Sequence, residues 1–260
     1  MTAPASTRPQ PPRGSSGPAP QAVIFDLDGV LVDSEPLHHA AANAVLTEDG
    51  HPPLSLAEYT RYVGLTDEDL WRDLRTIRDL SRPHEHYLRR FDHLVLAEYR
   101  LHAVAAPGAA DLLDWLTDCG LPLAVASSSR AAWVKTCLHA IGLLGYFDRI
   151  VAGDMVARAK PDPEIYLLAA RQLRAQPARC VVFEDSPPGV TAASRAGMYT
   201  IAVCTAYTPP GLTTGAHFSV NSLAEVSQAL RGRTFARAAR PQPPVRGRPP
   251  GVGHNGGHGF

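Results

Sequence analysis

An α/β fold, a Rossmann-like parallel sheet with a helical block inserted into it, is what this 260-residue chain predicts, on three observations. Five short β-rich runs, AVIFDLD, LPLAVASS, RIVAGD, CVVFED and TIAVC, recur with helical stretches between them. Strands alternating with helices form βαβ units, which assemble into a parallel sheet covered on both faces. The first four runs end in polar residues: Asp26 with Asp28, Ser127, Asp154, and Glu184 with Asp185. Ligands of such sheets bind beyond the carboxyl ends of the strands, so these side chains gather where the architecture places a site. One interval, from about Ser34 to Val104, lacks any β-rich run and reads as amphipathic helices.

Taken in order, residues 1–20 are rich in Pro and Ser, lack the apolar stretch of a secretory signal, and are expected to form a tail. The first strand then runs apolar into DLDG, where residues i and i+2 share a face, so Asp26 and Asp28 project together. Crowded carboxylates repel unless a cation or a shared proton compensates. Residues 34–104 follow as an inserted cap, with EPLHHAAANAVLTEDG, DEDLWRDLRTIRDL and HEHYLRRFDHLVLAEYRLHA as its helices. In the third of these, Tyr87, Phe91, Leu94 and Tyr99 read as bundle core rather than ligand contacts. Residues 21–33 and 105–230 make up the α/β core. From Arg231 the chain is Pro, Gly and Arg rich and is expected to be a second, disordered tail, in which His254 and His258 read as solvated.

Twenty-five basic and 25 acidic residues cancel, which gives no electrostatic case for nucleic acid or an anionic membrane as partner. The expected partner is therefore a small molecule; oligomeric state is not legible, and a monomer is compatible. Cys119, Cys137, Cys180 and Cys204 are widely spaced and read as free thiols in a reducing compartment. With no segment long enough to span a bilayer, a cytoplasmic location is expected.

Four pieces of chemistry stand in order: Asp26 and Asp28, Ser127, Lys160, and Glu184 with Asp185. Each alone has a bland account, as a turn, a loop serine, a lysine ahead of a helix, or an N-cap. Their joint order, each after an expected strand, argues against four coincidences. Converging carboxylates call for a cation, and an all-oxygen set suits Mg²⁺. Magnesium points to phosphate, and the absence of GxxxxGK[ST] excludes a P-loop site. A carboxylate attacking phosphorus gives an aspartyl-phosphate and splits hydrolysis into two easier displacements. Asp26 is the expected nucleophile, and Asp28 the acid that protonates the leaving alcohol and then activates water. Ser127, Ser128 and nearby backbone N–H groups are expected to hold phosphoryl oxygens with Lys160, and Asp26, Asp28, Glu184 and Asp185 to hold the metal.

FDLDGVLVDSEPLHHAA, VASSSR, KPDPEIY and VVFEDSPPGV resemble, in order, the signature motifs of the haloacid dehalogenase superfamily, in its β-phosphoglucomutase-like and phosphoglycolate phosphatase-like branch. The likeness spans about residues 21–230. It implies the same roles for the same residues, and adds the carbonyl of Asp28 as a metal ligand. Dehalogenases of the superfamily lack the second acid, so Asp28 argues against that chemistry. Phosphonatases use a cap lysine, and residues 34–104 contain none.

The remaining alternatives are a phosphatase and a sugar-phosphate mutase of the β-phosphoglucomutase type. A mutase must hold a second phosphate, which its family does with a cap arginine in a GxxR-like loop. Here the stretch is GLTD, residues 64–67, with Asp67 at that position. Arg61, Arg72 or Arg75 could substitute. His38 resembles a cap-hinge histidine, and His38, Gly64, Thr66 and Arg72 are the candidate cap contacts to substrate. A phospho-accepting signalling module shares the acids, Ser and Lys but needs neither a cap nor Asp28. The expectation is a Mg²⁺-dependent phosphatase acting on a small phosphorylated metabolite, a sugar phosphate.

Overall fold

The computed structural model describes residues 19–63, 66–205, 208 and 213–230. Six strands form one sheet among them: β1 (Ala22–Phe25), β2 (Leu123–Ala126), β3 (Arg149–Val151), β4 (Cys180–Glu184), β5 (Tyr199–Val203) and β6 (Phe218–Val220). Every pairing is parallel and the order is β3-β2-β1-β4-β5-β6. The five β-rich runs are thus β1 to β5. β6 was not expected: FSV is three residues long with a serine at its centre, too short to carry a period.

Burial follows the pleat. Val23, Phe25, Leu123, Val125, Val181 and Phe183 pack into one buried cluster, and Ala22, Ile24, Ala124, Ala126 and Val182 into another. Alternate residues of the same strand therefore serve opposite layers, and a sheet covered on both faces needs apolar side chains at every position. The stacked rings of Phe25 and Phe183, 4.8 Å apart, join β1 to β4.

Between β1 and β2 come α1 (Glu35–Glu48), α2 (Leu56–Tyr59), α3 (Asp67–Ile77) and α4 (His84–His102). A proline in the first turn opens α1, a Ser55–Glu58 capping box opens α2, and the Thr66 hydroxyl accepts from Asp69 N to open α3. Tyr87, Phe91, Val95 and Tyr99 recur every four residues along the buried side of α4. Trp71 of α3 stacks on Tyr87 at 5.5 Å. The strands entering and leaving this block run side by side: Val32 bridges Ala105, and Ala106 N donates to Leu31 O at 2.8 Å.

Helices α5 (Ala109–Asp118), α6 (Ala131–Ala140), α7 (Glu164–Gln172), α8 (Pro187–Arg195) and α9 (Leu223–Leu230) complete the described chain. All four cysteines are free, Cys137 and Cys180 buried and the other two half-buried. Among the described residues no helix is long and apolar enough to cross a membrane. The expected tails lie outside the described residues apart from Ala19 and Pro20, and with them His254 and His258.

Candidate active site

The strand order reverses at the centre of the sheet: the chain steps outward from β1 to β2 and β3, then returns to place β4 on the other side of β1. A crevice opens beyond the carboxyl ends of strands at such a switch point. Asp26 follows β1 there, and Glu184 ends β4 with Asp185 next. Asp26 N donates to Phe183 O at 2.9 Å, so the sheet ladder itself fixes this aspartate.

Asp26, Glu184 and Asp185 each bring a carboxylate oxygen within 4.8 Å of the other two. Lys160 reaches in from the loop ahead of α7, with Nζ 2.8 Å from Asp26 Oδ1 and 2.6 Å from Glu184 Oε1, its side chain 6% exposed. Both oxygens of Glu184 accept from the protein: Oε1 also from the buried Tyr166 hydroxyl at 2.8 Å, and Oε2 from Ser186 N and Oγ at 2.8 and 3.0 Å. Ser186 at the same time caps α8, accepting from Gly189 N. Asp185 makes no hydrogen bond to the protein among the described residues. Gly29, at φ +72°, lets it approach, because a Cβ there would collide with Asp185 Oδ2.

Burial pushes the Asp26 carboxyl up to about 8, against the pull of Lys160 and with the push of Glu184 and Asp28. Burial, then Glu184 and Asp26, also raises Asp185 well above the usual carboxylate range. One lysine does not neutralise this group. Two acids with unused oxygens, crowded and desolvated on an all-oxygen donor set, are what a hard divalent cation would compensate.

Asp28 stands apart, half-buried and held from two directions. Ser127 and Ser129 Oγ donate to Oδ2 at 3.2 and 2.8 Å, and the Tyr99 hydroxyl, from α4, reaches Oδ1 at 3.2 Å. His38 Nε2 lies 2.8 Å from that hydroxyl, its ring packed against Phe91, Tyr99 and Trp133. Burial and the Asp28 charge hold the Tyr99 phenol well above its ordinary range, so it stays protonated. The Tyr99 ring is core, as expected, but its hydroxyl belongs to the site. Sequence reasoning missed that, as it missed Ser129 and Tyr166. For Ser129, its position two residues after Ser127 was the available signal.

Other residues fall elsewhere. Ser127 is fully buried, while Ser128 is exposed, with its carbonyl against Gly153. Asp154, which ends the third run, accepts from Ala131 N at the start of α6. The Thr66 hydroxyl is used in capping α3. Arg72 is 66% exposed and pairs with Asp69 at 2.7 Å, none of its contacts reaching the acids. Gly64 lies outside the described residues. Asp67, half-buried at the start of α3, is raised by burial, then drawn down by His38 and Arg130 and pushed up by Asp28 and Asp92. It therefore shares the electrostatic surroundings of Asp28. Asp92 of α4 accepts from Trp133 Nε1 at 2.6 Å and from Arg130 at 3.3 Å, tying α4 to α6. A separate surface groove of about 660 Å³, lined by Tyr146 and Asp148 among others, holds none of these acids.

The profile of the haloacid dehalogenase-like hydrolases matches residues 23–203. The chain belongs to this family. The phosphorylated carbohydrates phosphatase of Thermotoga maritima is 36% identical over 68% of this chain and 82% of its own. The fructose-1-phosphate phosphatase YqaB of Escherichia coli is 35% identical over 68% of this chain and 92% of its own. Among solved structures, CbbY from Rhodobacter sphaeroides in complex with phosphate superposes with a TM-score of 0.72 at 32% identity, over 80% of this chain and 96% of that one. A putative β-phosphoglucomutase from Thermotoga maritima gives 0.72 at 31% identity, over 82% and 99%. The haloacid dehalogenase-like fold read from the motifs is thus the fold of the chain, and by family it is a hydrolase.

Proposed function

We propose that the chain is a Mg²⁺-dependent phosphatase that hydrolyses a small phosphorylated metabolite, a sugar phosphate, through an aspartyl-phosphate on Asp26. The observation that carries this reading is the pairing of two differently held aspartates at the switch point: Asp26 buried against Lys160, Asp28 fixed by hydroxyls. Relatives named as phosphatases of phosphorylated carbohydrates and of fructose 1-phosphate support it.

Asp26 attacks phosphorus in line, and Lys160 neutralises charge shared between the nucleophile and the phosphoryl oxygens. Asp28 gives its proton to the departing alkoxide oxygen, then takes one from the water that opens the acyl phosphate. Ser127 positions Asp28; in the loop after β2 the Ser127 and Ser129 amides are bound to Val151 O and Ser127 Oγ, so the Ser128 N–H is the donor we assign to a phosphoryl oxygen. Asp26, the main-chain carbonyl of Asp28, Glu184 and Asp185 would hold Mg²⁺, which when bound supplies the positive charge that lets Asp26 ionise and the phosphate approach. Residues 34–104 act as a cap over residues 21–33 and 105–230, hinged where Leu31–Val32 and Ala105–Ala106 run together.

A β-phosphoglucomutase-type reaction is the second reading, favoured by the likeness to a putative enzyme of that kind. Asp67 weighs against it, because an acid that shares the electrostatic surroundings of Asp28 repels a second phosphate. The test is phosphate release from a panel of sugar and polyol monophosphates, with Mg²⁺ or EDTA, by the protein and by Asp26→Asn. Mg²⁺-dependent release that disappears in the variant is expected. Conversion of β-glucose 1-phosphate to its 6-phosphate without release would replace the phosphatase reading with the mutase one.

A further inference from the structure

We propose that Tyr99 is a positioning residue for Asp28, aiming its carboxyl at the leaving-group oxygen from the cap side of the site. The inference rests on the phosphatase reading and deepens it. Tyr99 is the last residue of the buried stripe Tyr87, Phe91, Val95, Tyr99, where an apolar side chain would satisfy the packing. A phenol hydroxyl buried there costs free energy unless it is hydrogen-bonded. It has two partners, Asp28 Oδ1 and His38 Nε2.

A phenol has one proton to give. As the carboxylate left after proton transfer, Asp28 can only accept, so Tyr99 donates to it, and the phenolic oxygen then accepts from His38 Nε2–H. On the other side Ser127 and Ser129 hold Oδ2. Both oxygens of Asp28 are therefore fixed, one from the loop after β2 and one from α4, 71 residues away in the sequence. Asp26 has no such pair of restraints; its side chain is held by Lys160. The difference matches the tasks, since a nucleophile is aimed by the strand that carries it, whereas a proton donor must be within hydrogen-bond reach of an oxygen on the substrate.

The reaction itself supplies a readout that a merely structural role would not move. Para-nitrophenolate leaves without a proton, phenolate benefits from one, and an alkoxide requires one. For Tyr99→Phe we expect kcat/KM to be nearly unchanged on para-nitrophenyl phosphate and to fall by about ten- to a hundredfold on phenyl phosphate and alkyl phosphates, the scale of a hydrogen bond to a charged group. Equal loss across the three, or none on the alkyl ester, overturns the assignment while leaving the phosphatase reading intact. Absence of phosphate release by the wild-type protein from all three would sink that reading, and the assignment with it. Should Tyr99→Phe fail to fold, His38→Leu keeps the ring cluster apolar and removes the group that orients the phenol. It is expected to show the same leaving-group dependence at smaller amplitude, and a uniform effect there counts equally against the assignment.

Discussion

At the carboxyl ends of β1 and β4 the acids are set by the strands that carry them, whereas the residues that face them from the inserted helices arrive through long-range packing. Asp26 sits one residue beyond β1 with its amide bonded to β4, and Glu184 is the last residue of β4. Tyr99, His38 and Asp67 come from α4, α1 and α3, whose mutual angles depend on Trp71, Tyr87 and Phe91 filling the space between them. The floor is specified by short contiguous motifs and the rim by the assembly of a helical bundle. Changes to the floor should therefore alter charge balance and metal affinity, and changes to the rim should alter preference.

The largest effect is expected at Lys160. Lys160→Met leaves Asp26 and Glu184 buried without their cation, and removing one partner of a buried ion pair costs about 3–5 kcal/mol. Urea unfolding in EDTA is the measurement, and a loss below about 1 kcal/mol would mean that the floor is not held by charge as described. Next comes Gly29→Ala. The substitution forces a β-carbon into a left-handed conformation and into the space of Asp185 Oδ2, so Asp185 must withdraw. Half-maximal activation should need about ten- to a hundredfold more Mg²⁺, as when a metal ligand loses its support. Unchanged Mg²⁺ dependence would remove Asp185 from the metal site.

The same contrast explains what was legible. Four motifs located the floor because each polar residue follows an apolar run directly, and strand and turn together fix where it points. Glu184 and Asp185 were read as equivalent, yet the first accepts from Lys160, Tyr166 and Ser186 and the second makes no hydrogen bond among the described residues. The partners that reach Glu184, Lys160 from the loop ahead of α7 and Tyr166 from α7, are ones that no local pattern announces. Tyr99 was read as core from its helical period, correctly for its ring; a period says nothing of where a hydroxyl ends. β6 escaped because three residues are too short a run to establish an alternation.

The rim supplies the two smallest effects, and they separate two residues that sequence reasoning grouped in one cap. Asp67 shares the surroundings of His38, Arg130 and Asp28. Asp67→Arg should raise kcat/KM for a sugar bisphosphate relative to the monophosphate by about five- to tenfold, the Coulomb scale for a charge change near a partly solvated site. No change in that ratio would place Asp67 outside the space that the substrate occupies.

Arg72, five residues after Asp67 and an equal candidate from the sequence, points away. Leu70, Trp71 and Leu74 are the buried residues of α3, and Arg72 lies between them on the opposite side, where it pairs with Asp69 three residues earlier. An exposed pair of this kind contributes little, because solvent screens it and two long side chains must be held in one geometry. Arg72→Ala should therefore leave the substrate ranking unchanged and shift stability by less than about 0.5 kcal/mol. A changed ranking would mean that α3 turns its other face to the site when substrate is bound, a rotation that would have to pull Trp71 off Tyr87 and so would show as a change in tryptophan fluorescence on adding the preferred monophosphate.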